Sequence, residues 1–380
     1  MRWRFLDSLL RPQPRRSAPT TAPRERRWRL MQVEPALSCN LKCIMCPWAE
    51  VRLSARNRGV MPENVWRALA PHLPEVASVD FTGGGEPLLQ PRLIEWVAEA
   101  KSHGCETGTL TNGLLLTRET AKELITAGLD WLCVSLDGAT ADVYESIRLG
   151  SHFSTVCDNL ARVAELRRDR VPLLMINVVL MPMNAHQAEE LVSLAARLGV
   201  DQVNFKQCDV IRGELGKGLG LFASDETNEL RGWRKRLSRA RSLAKKLNVR
   251  TTAFSFVPTE QPVCAQDPRH SLFVSYDGTV APCINLAMGG PTTFLGNEVS
   301  MPSVHYGRFP EEDLLSLWET ASCRFYRERF EQRVETYGRS FRANLERTAW
   351  TSPNRLKETA VKAMPEAPDG CKVCHYLYDV

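Results

Sequence analysis

The sequence has no long hydrophobic run and no export signal. No stretch approaches the roughly 18 consecutive apolar residues of a membrane-spanning helix, although 43% of the 380 residues are hydrophobic. The first ten residues include Asp7 and lead into Arg- and Pro-rich sequence without the apolar core of a secretory signal. These absences argue against a transmembrane or secreted protein. We expect a cytoplasmic chain, long enough for one large and one smaller domain.

The sequence also has little net charge outside its first residues. Residues 1–30 carry nine Arg against two acidic residues, or +7, which leaves 40 basic and 42 acidic residues, or −2, for residues 31–380. A nearly neutral body argues against nucleic-acid binding. We interpret residues 1–29 as a mobile Arg/Pro-rich arm with a frayed start. The alternative for that start is contact with a membrane surface or a partner through Trp3, Phe5 and Leu6.

From residue 30 onwards, apolar runs alternate with amphipathic helical patterns. Six strands separated by helices predict a parallel sheet with right-handed crossovers, and a further helix over 225–247 would close this unit. The predicted strands span 30–37, 78–82, 106–111, 131–135, 173–180 and 202–206. The predicted helices between them span 63–72, 91–103, 117–127, 154–168 and 185–198.

The pattern changes beyond residue 250. Residues 271–283 alternate around Asp277-Gly278, which is a strong hairpin signal. A Gly/Pro-rich stretch and helical segments over 311–320 and 322–346 follow, and the chain ends shortly after a Cys-x-x-Cys. We therefore predict domains over 30–249 and 250–380.

Twelve cysteines are the most prominent feature of the composition. Without an export signal, grouped cysteines favour metal binding over disulfides. Cys39, Cys43 and Cys46 stand together after the first predicted strand, and three thiolates so spaced suit three corners of an iron–sulfur cubane whose fourth iron stays open. A zinc site is the alternative. Five scattered cysteines are interpreted as buried apolar residues: Cys105, Cys133, Cys157, Cys208 and Cys323.

Further motifs follow the next strands in order. They are Gly84-Gly85-Glu86-Pro87, Thr111-Asn112-Gly113, Ser135-Leu136-Asp137-Gly138 and Ile147-Arg148 with Gly150. Together with the C-x3-C-x2-C of the first cysteines, they resemble the radical S-adenosylmethionine (SAM) enzymes over residues 30–210. The resemblance assigns the following residues to SAM binding: Met45, Gly84, Gly85, Glu86, Asn112, Ser135 and Arg148.

This resemblance implies a partial (β/α)6 barrel of the TIM type, with its chemistry at the carboxyl ends of the strands. It also implies a 4Fe–4S cluster whose open iron is chelated by the amine and carboxylate groups of SAM. One electron from the cluster, supplied by reduced flavodoxin or ferredoxin, would cleave SAM. The resulting 5′-deoxyadenosyl radical would abstract a substrate hydrogen. The resemblance also implies that the carboxylate of Glu86 binds the ammonium group of SAM.

A second cysteine group lies near the end of the chain. Cys264 and Cys283 flank the hairpin with the spacing C-x13-G-x4-C through Gly278, and Cys371-x2-Cys374 follows. This resembles the SPASM domain or its shorter relative, the twitch domain, and implies a small α+β unit with a second 4Fe–4S cluster. A full SPASM domain needs three more cysteines after Cys374, so we expect the twitch form. A zinc staple is the alternative.

The substrate is less evident from the sequence. Only 38 residues precede Cys39, too few for a domain that recognises a peptide leader, so we expect oxidation of a small molecule such as a sugar. The alternatives are a maturase that modifies a ribosomal peptide, a redox-neutral epimerase or lyase, and a non-catalytic electron carrier. Cys208, after the sixth predicted strand, is a candidate for a hydrogen-atom donor.

Overall fold

The structure is a computed structural model that describes residues 26–49, 59–208, 210–211, 216–222, 228–347 and 352–380. Most of the predicted arm, residues 1–25, therefore lies outside the described residues. No helix of the described part of the chain is long and apolar enough to cross a membrane.

The described strands form one large sheet and one two-stranded hairpin. The large sheet has the order β12-β9-β8-β1-β2-β3-β4-β5-β6-β7, and the hairpin joins β10 to β11. The strand bounds are β1 (Trp28–Val33), β2 (Val76–Asp80), β3 (Glu106–Thr111), β4 (Trp131–Ser135), β5 (Leu173–Leu180), β6 (Gln202–Gln207), β7 (Arg250–Ala253), β8 (Ser271–Val274), β9 (Thr279–Ala281), β10 (Gly290–Phe294), β11 (Asn297–Met301) and β12 (Gly307–Arg308).

Helices connect the parallel strands and pack against the sheet. The second helix shows why, because Leu93, Trp96, Val97 and Ala100 are buried along one face at helical spacing. The helix bounds are α1 (Glu63–Leu69), α2 (Leu93–Ser102), α3 (Arg118–Thr126), α4 (Ala141–Ile147), α5 (Phe153–Leu166), α6 (Ala188–Arg197), α7 (Asn228–Lys246), α8 (Ile284–Met288), α9 (Leu314–Trp318), α10 (Ala321–Arg347), α11 (Pro353–Ala363) and α12 (Asp369–Lys372).

Strands β1 to β7 run parallel in chain order, so the predicted α/β fold with a parallel sheet is confirmed. The bounds of β3, β4 and β5 coincide with the predicted ones. β7 adds a seventh parallel strand next to β6, which the sequence did not indicate. Helices α4 and α11 were also not predicted.

β1 joins the barrel to the C-terminal part of the chain. It pairs in parallel with β2 on one side, where Leu30 lies opposite Ser78, and with β8 on the other, where Leu30 lies opposite Ser271. The predicted hairpin of β8 and β9 is present and extends the same sheet. The sheet therefore continues across residue 250, and the division into domains there stays a prediction.

The start of β1 corrects the predicted end of the arm at residue 29. Trp28 is fully buried and lies edge-on to Trp318 at 5.9 Å and to His72 at 6.1 Å between ring centroids. Burial of an indole ring stabilises the fold strongly, so the ordered chain includes Trp28 and Arg29. The guanidinium of Arg26 also donates to the His103 carbonyl at 3.2 Å.

Candidate functional site

A cavity of about 200 Å³ lies past the carboxyl ends of the parallel strands. Its lining includes every residue assigned above to the first cysteine group and to SAM, and also Cys208. These residues are Cys39, Cys43, Met45, Cys46, Gly84, Gly85, Glu86, Asn112, Ser135, Arg148 and Cys208. Because they come from six separate segments, their convergence follows from the parallel arrangement of the strands. We call this the first cavity.

The cysteine loop, residues 39–46, is held in place by backbone hydrogen bonds. The amide of Lys42 donates to the Leu149 carbonyl and the amide of Ile44 to the Ile147 carbonyl, each at 3.0 Å. These two contacts bring the intervening Arg148 beside the loop, where its guanidinium lies 3.7 Å from the Cys43 sulfur. The two motifs predicted from sequence are therefore one structural unit.

Arg148 is itself fixed by a buried carboxylate. Its Nε donates to Asp137 Oδ2 at 2.7 Å, and Asp137 Oδ1 accepts from the Val179 amide at 2.7 Å. Burial raises the pKa of the Cys43 thiol to about 11, and the charge of Arg148 opposes that rise. The guanidinium thus favours the thiolate, which is the form that ligates iron.

Three consecutive glycines form the loop after β2, and each meets a close neighbour. A Cβ on Gly84 would lie 2.3 Å from the Trp48 ring, and one on Gly85 would lie 2.3 Å from the Ser38 carbonyl oxygen. A Cβ on Gly83, the glycine that extends the family motif, would lie 2.2 Å from the Glu34 side chain. Side chains are therefore excluded on steric grounds. We call residues 83–86 the glycine loop.

Glu86 is bound by the protein on both carboxylate oxygens. Its Oε1 accepts from the Thr111 hydroxyl at 2.6 Å and the Leu88 amide at 3.1 Å, and its Oε2 accepts from the Asn112 amide at 2.8 Å. Burial raises the pKa of this carboxyl, and the hydrogen bonds from Asn112 and Thr111 oppose the rise. Glu86 thus ties the loop after β2 to the loop after β3. Its contact with a ligand ammonium stays a prediction.

Asn112 and Cys208 complete the wall of the first cavity. The Asn112 side chain donates to the Asn40 side chain at 2.8 Å, which connects the loop after β3 to the cysteine loop. Cys208 directly follows β6 and packs with Met45 and Met181 in a small apolar cluster. That packing agrees with its interpretation as a buried apolar residue, and its position in the wall keeps the donor hypothesis open to test.

The second cysteine group lines a neighbouring cavity of about 220 Å³. Cys264, Cys283, Cys371 and Cys374 all face it, although they are distant in sequence. Burial raises the pKa of Cys283 to about 12, and the backbone amides of Leu286 and Asn285 at the start of α8 oppose that rise. Cys323 is buried on α10 and does not line this cavity.

Zinc and iron–sulfur clusters differ in how their thiolate ligands are arranged. Among the described residues, no three Cys, His, Asp or Glu side chains surround a point that a single metal ion could occupy. Zinc needs its ligands about 2.3 Å from one centre, whereas an iron–sulfur cubane holds each thiolate on a different iron. Thiolates are the ligands that iron–sulfur clusters prefer, so the donor sets of both cavities fit such clusters.

Four functional candidates were missed by the sequence analysis. Thr82 lines both cavities, and Gln32 lines the second and donates to the Thr82 carbonyl at 3.0 Å. Glu34 contacts the glycine loop. Asp80, the last residue of β2, accepts from the Thr82 hydroxyl at 2.5 Å. Gln32 and Glu34 were missed because their partners lie on a neighbouring loop, and no motif marks Asp80 or Thr82.

The buried carboxyl of Asp80 should make the stability of the folded chain depend on pH. Burial raises the pKa of its carboxyl from 3.8 to about 7. In the unfolded chain the carboxyl ionises at its ordinary pKa, so this residue lowers the stability of the folded chain progressively from about pH 4 to pH 7. Asp80→Asn, which keeps the acceptor for Thr82, should raise the melting temperature more at pH 8 than at pH 5. Circular dichroism melts of the metal-free proteins measure this, and parallel pH profiles would contradict it.

Known proteins are similar to this chain in sequence. A sequence model of the radical SAM superfamily matches residues 33–195. The chain is 25% identical over 308 residues to the tungsten-containing aldehyde ferredoxin oxidoreductase cofactor-modifying protein of Pyrococcus furiosus, a match that covers 78% of this chain and 82% of that protein. It is 28% identical to the PqqA peptide cyclase of Ruegeria pomeroyi, over 64% of this chain and 62% of the cyclase.

Solved structures share the fold at low sequence identity. Native anSMEcpe with bound AdoMet superposes with a TM-score of 0.58 at 18% identity, over 79% of this chain and 83% of that one. Streptococcus suis SuiB bound to S-adenosylmethionine gives 0.56 at 17% identity, over 77% and 65% of the two chains. The predicted partial barrel is thus confirmed. Residues 33–195 match the radical SAM superfamily, whose members use a 4Fe–4S cluster and SAM.

Proposed function

We propose that this chain is a radical SAM enzyme that binds its 4Fe–4S cluster through Cys39, Cys43 and Cys46 and its SAM in the first cavity. The single observation that carries the proposal is the convergence of these three thiols, the glycine loop and Arg148 on one cavity. When bound, the cluster and SAM supply the one-electron chemistry that removes a hydrogen atom from a substrate.

The chain's own residues bind, orient and exclude water. Arg148 holds a positive charge beside Cys43, and Asp137 fixes the guanidinium in that position. The missing side chains of Gly84 and Gly85 let the Trp48 ring and the Ser38 carbonyl pack directly on the loop, which fixes it in the cavity wall. Leu41, Met45 and Val179 contribute apolar wall to the same cavity, which limits access of water to reactive species.

We propose a peptide or protein side chain as the substrate, in place of the small molecule expected from the sequence. Two relatives support this by name: the PqqA peptide cyclase, and the mycofactocin maturase MftC of Mycobacterium tuberculosis. The second is 31% identical over 44% of this chain and 41% of the maturase. The small-molecule expectation rested on the short segment before Cys39, which carries less weight than these relatives.

The second cavity supports a single auxiliary 4Fe–4S cluster of the twitch type, held by Cys264, Cys283, Cys371 and Cys374. The two cavities share Pro47, Thr82 and Val210 in their linings, so they are neighbours in space. A fully ligated cluster next to the first cavity could accept one electron from the substrate radical. This supports net oxidation of the substrate over a redox-neutral reaction. Reduced flavodoxin or ferredoxin stays the predicted electron donor.

Anaerobic reconstitution tests the proposed activity. The reconstituted chain is incubated with SAM, dithionite and either a pool of synthetic peptides or a fractionated metabolite extract. We expect 5′-deoxyadenosine to form, and one peptide to lose two hydrogen atoms per molecule of it. Coupled consumption of a metabolite alone would restore the small-molecule alternative, and a product of unchanged oxidation state would favour an epimerase or lyase. No 5′-deoxyadenosine under any condition would leave only an electron carrier.

Glu86→Gln should weaken SAM binding without changing iron content. Glutamine has an NH2 group in place of one carboxylate oxygen. This donor would face another donor, either the Asn112 amide or the Thr111 hydroxyl. Loss of one charge-assisted contact costs roughly 1.5–3 kcal/mol, or about one to two decades in Kd. Equilibrium dialysis with labelled SAM measures the change. Glu75→Gln, which alters only an exposed ion pair with Arg27, is the control, and equal affinities in both variants would contradict the prediction.

A further inference from the structure

Glu34 lies between two loops that follow neighbouring strands. It comes directly after β1, and β1 is flanked by β2 and β8. Its Oε1 accepts from the Gly84 amide in the glycine loop at 2.7 Å. Its Oε2 accepts from the Tyr276 amide in the hairpin turn, residues 275–278, at 3.2 Å. One carboxylate thus contacts both the proposed SAM site and the hairpin that leads to Cys283.

The fit around Glu34 is tight. Only 2% of its surface is exposed, and its Cγ would lie 2.2 Å from a Cβ on Gly83. The Glu34 amide also donates to the Val274 carbonyl at 2.9 Å, which fixes the backbone against the end of β8. Neither loop can therefore move far without displacing this side chain or breaking one of its hydrogen bonds.

A second route connects the same two regions. A Cβ on Gly59 would lie 3.1 Å from the Tyr276 ring, so this ring packs on the Gly59 backbone. The Gly59 carbonyl accepts from the Ser38 amide at 3.1 Å, and the Ser38 carbonyl accepts from the Glu86 amide at 2.8 Å. Tyr276 is therefore connected to the glycine loop at two points, to Gly84 through Glu34 and to Glu86 through Gly59 and Ser38.

We propose that Glu34 is a positioning residue that couples the hairpin turn to the glycine loop, so that an ordered second cysteine site favours SAM binding in the first cavity. The identity of the ligand as SAM rests on the proposed function, and the coupling rests on the contacts of Glu34. Coupling is reciprocal, so SAM binding also orders the hairpin turn. A buried carboxylate suits this role because losing either amide donor costs the free energy of a buried hydrogen bond.

Hydrogen exchange on the metal-free chain tests the contacts alone. Glu34→Ala should speed exchange both in residues 82–88 and in residues 275–279. Glu34→Gln keeps the shape but has one acceptor oxygen, so it should speed exchange in at least one of these segments. The control is Asp130→Ala, which removes an acceptor from the Thr107 amide, a bond of 2.8 Å on another strand. Unchanged exchange in both Glu34 variants, or equal changes in the control, would overturn the proposal.

Binding of SAM to the reconstituted chain tests the coupling. Cys371→Ala/Cys374→Ala should raise the Kd for SAM several-fold, and Glu34→Gln should raise it about tenfold, within the usual range of coupling energies. Added to Glu34→Gln, the cysteine changes should have little further effect. A full additional loss in that background would overturn the coupling. Failure of the wild-type chain to bind SAM would instead refute the proposed function, while the exchange results would stand on their own.

Discussion

Reconstituted wild-type protein should hold about eight iron atoms per chain, and the Cys39→Ala/Cys43→Ala/Cys46→Ala variant about four. The triple variant should form no 5′-deoxyadenosine. The first cluster should be lost because, besides Cys208, the described lining of the first cavity holds no other cysteine than these three. The second set lies in its own cavity and keeps its four ligands. Iron analysis and chromatography of the SAM products measure the two effects.

A matched control removes cysteines that line neither cavity. Cys105 packs under β2, where its sulfur lies 3.3 Å from the Val76 carbonyl oxygen, and Cys157 lies on α5. Cys105→Ala/Cys157→Ala should therefore keep about eight iron atoms and full SAM cleavage. If the triple variant still cleaved SAM, or if the control lost as much iron, the assignment of the first cluster would be wrong.

Short-range patterns in the sequence predicted the frame of this site well. β4 and β5 have the predicted bounds because each is a compact apolar run bounded by turn residues. β3 is rich in threonine and lies between Gly104 and Asn112-Gly113, which marks its ends. The motifs that follow these strands meet at one cavity because parallel strands place their carboxyl ends on one side of a sheet. The loop position of Cys39, Cys43 and Cys46 followed from the same order along the chain.

Long-range pairing could not be predicted from local patterns. The parallel pairing of β1 with β8 joins residues some 240 positions apart, and no periodicity in either segment indicates its partner. Glu34 illustrates the consequence, because its two amide donors belong to Gly84 and Tyr276. In the sequence it is a single carboxylate before a proline. Only the register of three neighbouring strands gives it a role.

Glu86 shows a different limit. Its motif identified the residue and its place after β2. The motif did not indicate that three groups of the protein also donate hydrogen bonds to its carboxylate. Buried carboxylates are normally satisfied by hydrogen bonds, so a residue drawn from a motif has a structural role alongside any contact with a ligand. The prediction for Glu86→Gln therefore includes distortion of the glycine loop.

Cys371→Ala/Cys374→Ala should remove the second cluster, loosen the C-terminal part of the chain and abolish substrate turnover. The chain end is held there by more than these thiols. Buried Arg333 donates to the Pro365 carbonyl at 2.6 Å and to the Pro262 carbonyl at 3.1 Å, and so connects the segments that lead to Cys371 and Cys264. The Gln261 amide donates to the Leu377 carbonyl at 2.8 Å. We therefore expect a lower melting temperature but a folded chain.

The first cluster should survive in this double variant, because the cysteine loop is fixed by Ile147 and Leu149 within the barrel. SAM cleavage should continue at a reduced rate without coupled product, since the proposed electron acceptor is missing. Cys323→Ala, a change outside the second cavity, is the control and should retain turnover. Iron content, melting temperature and the ratio of product to 5′-deoxyadenosine separate the outcomes. Full turnover in the double variant would mean that the second cluster has only a structural role. A metal site that only stabilises the fold can be lost without stopping chemistry elsewhere.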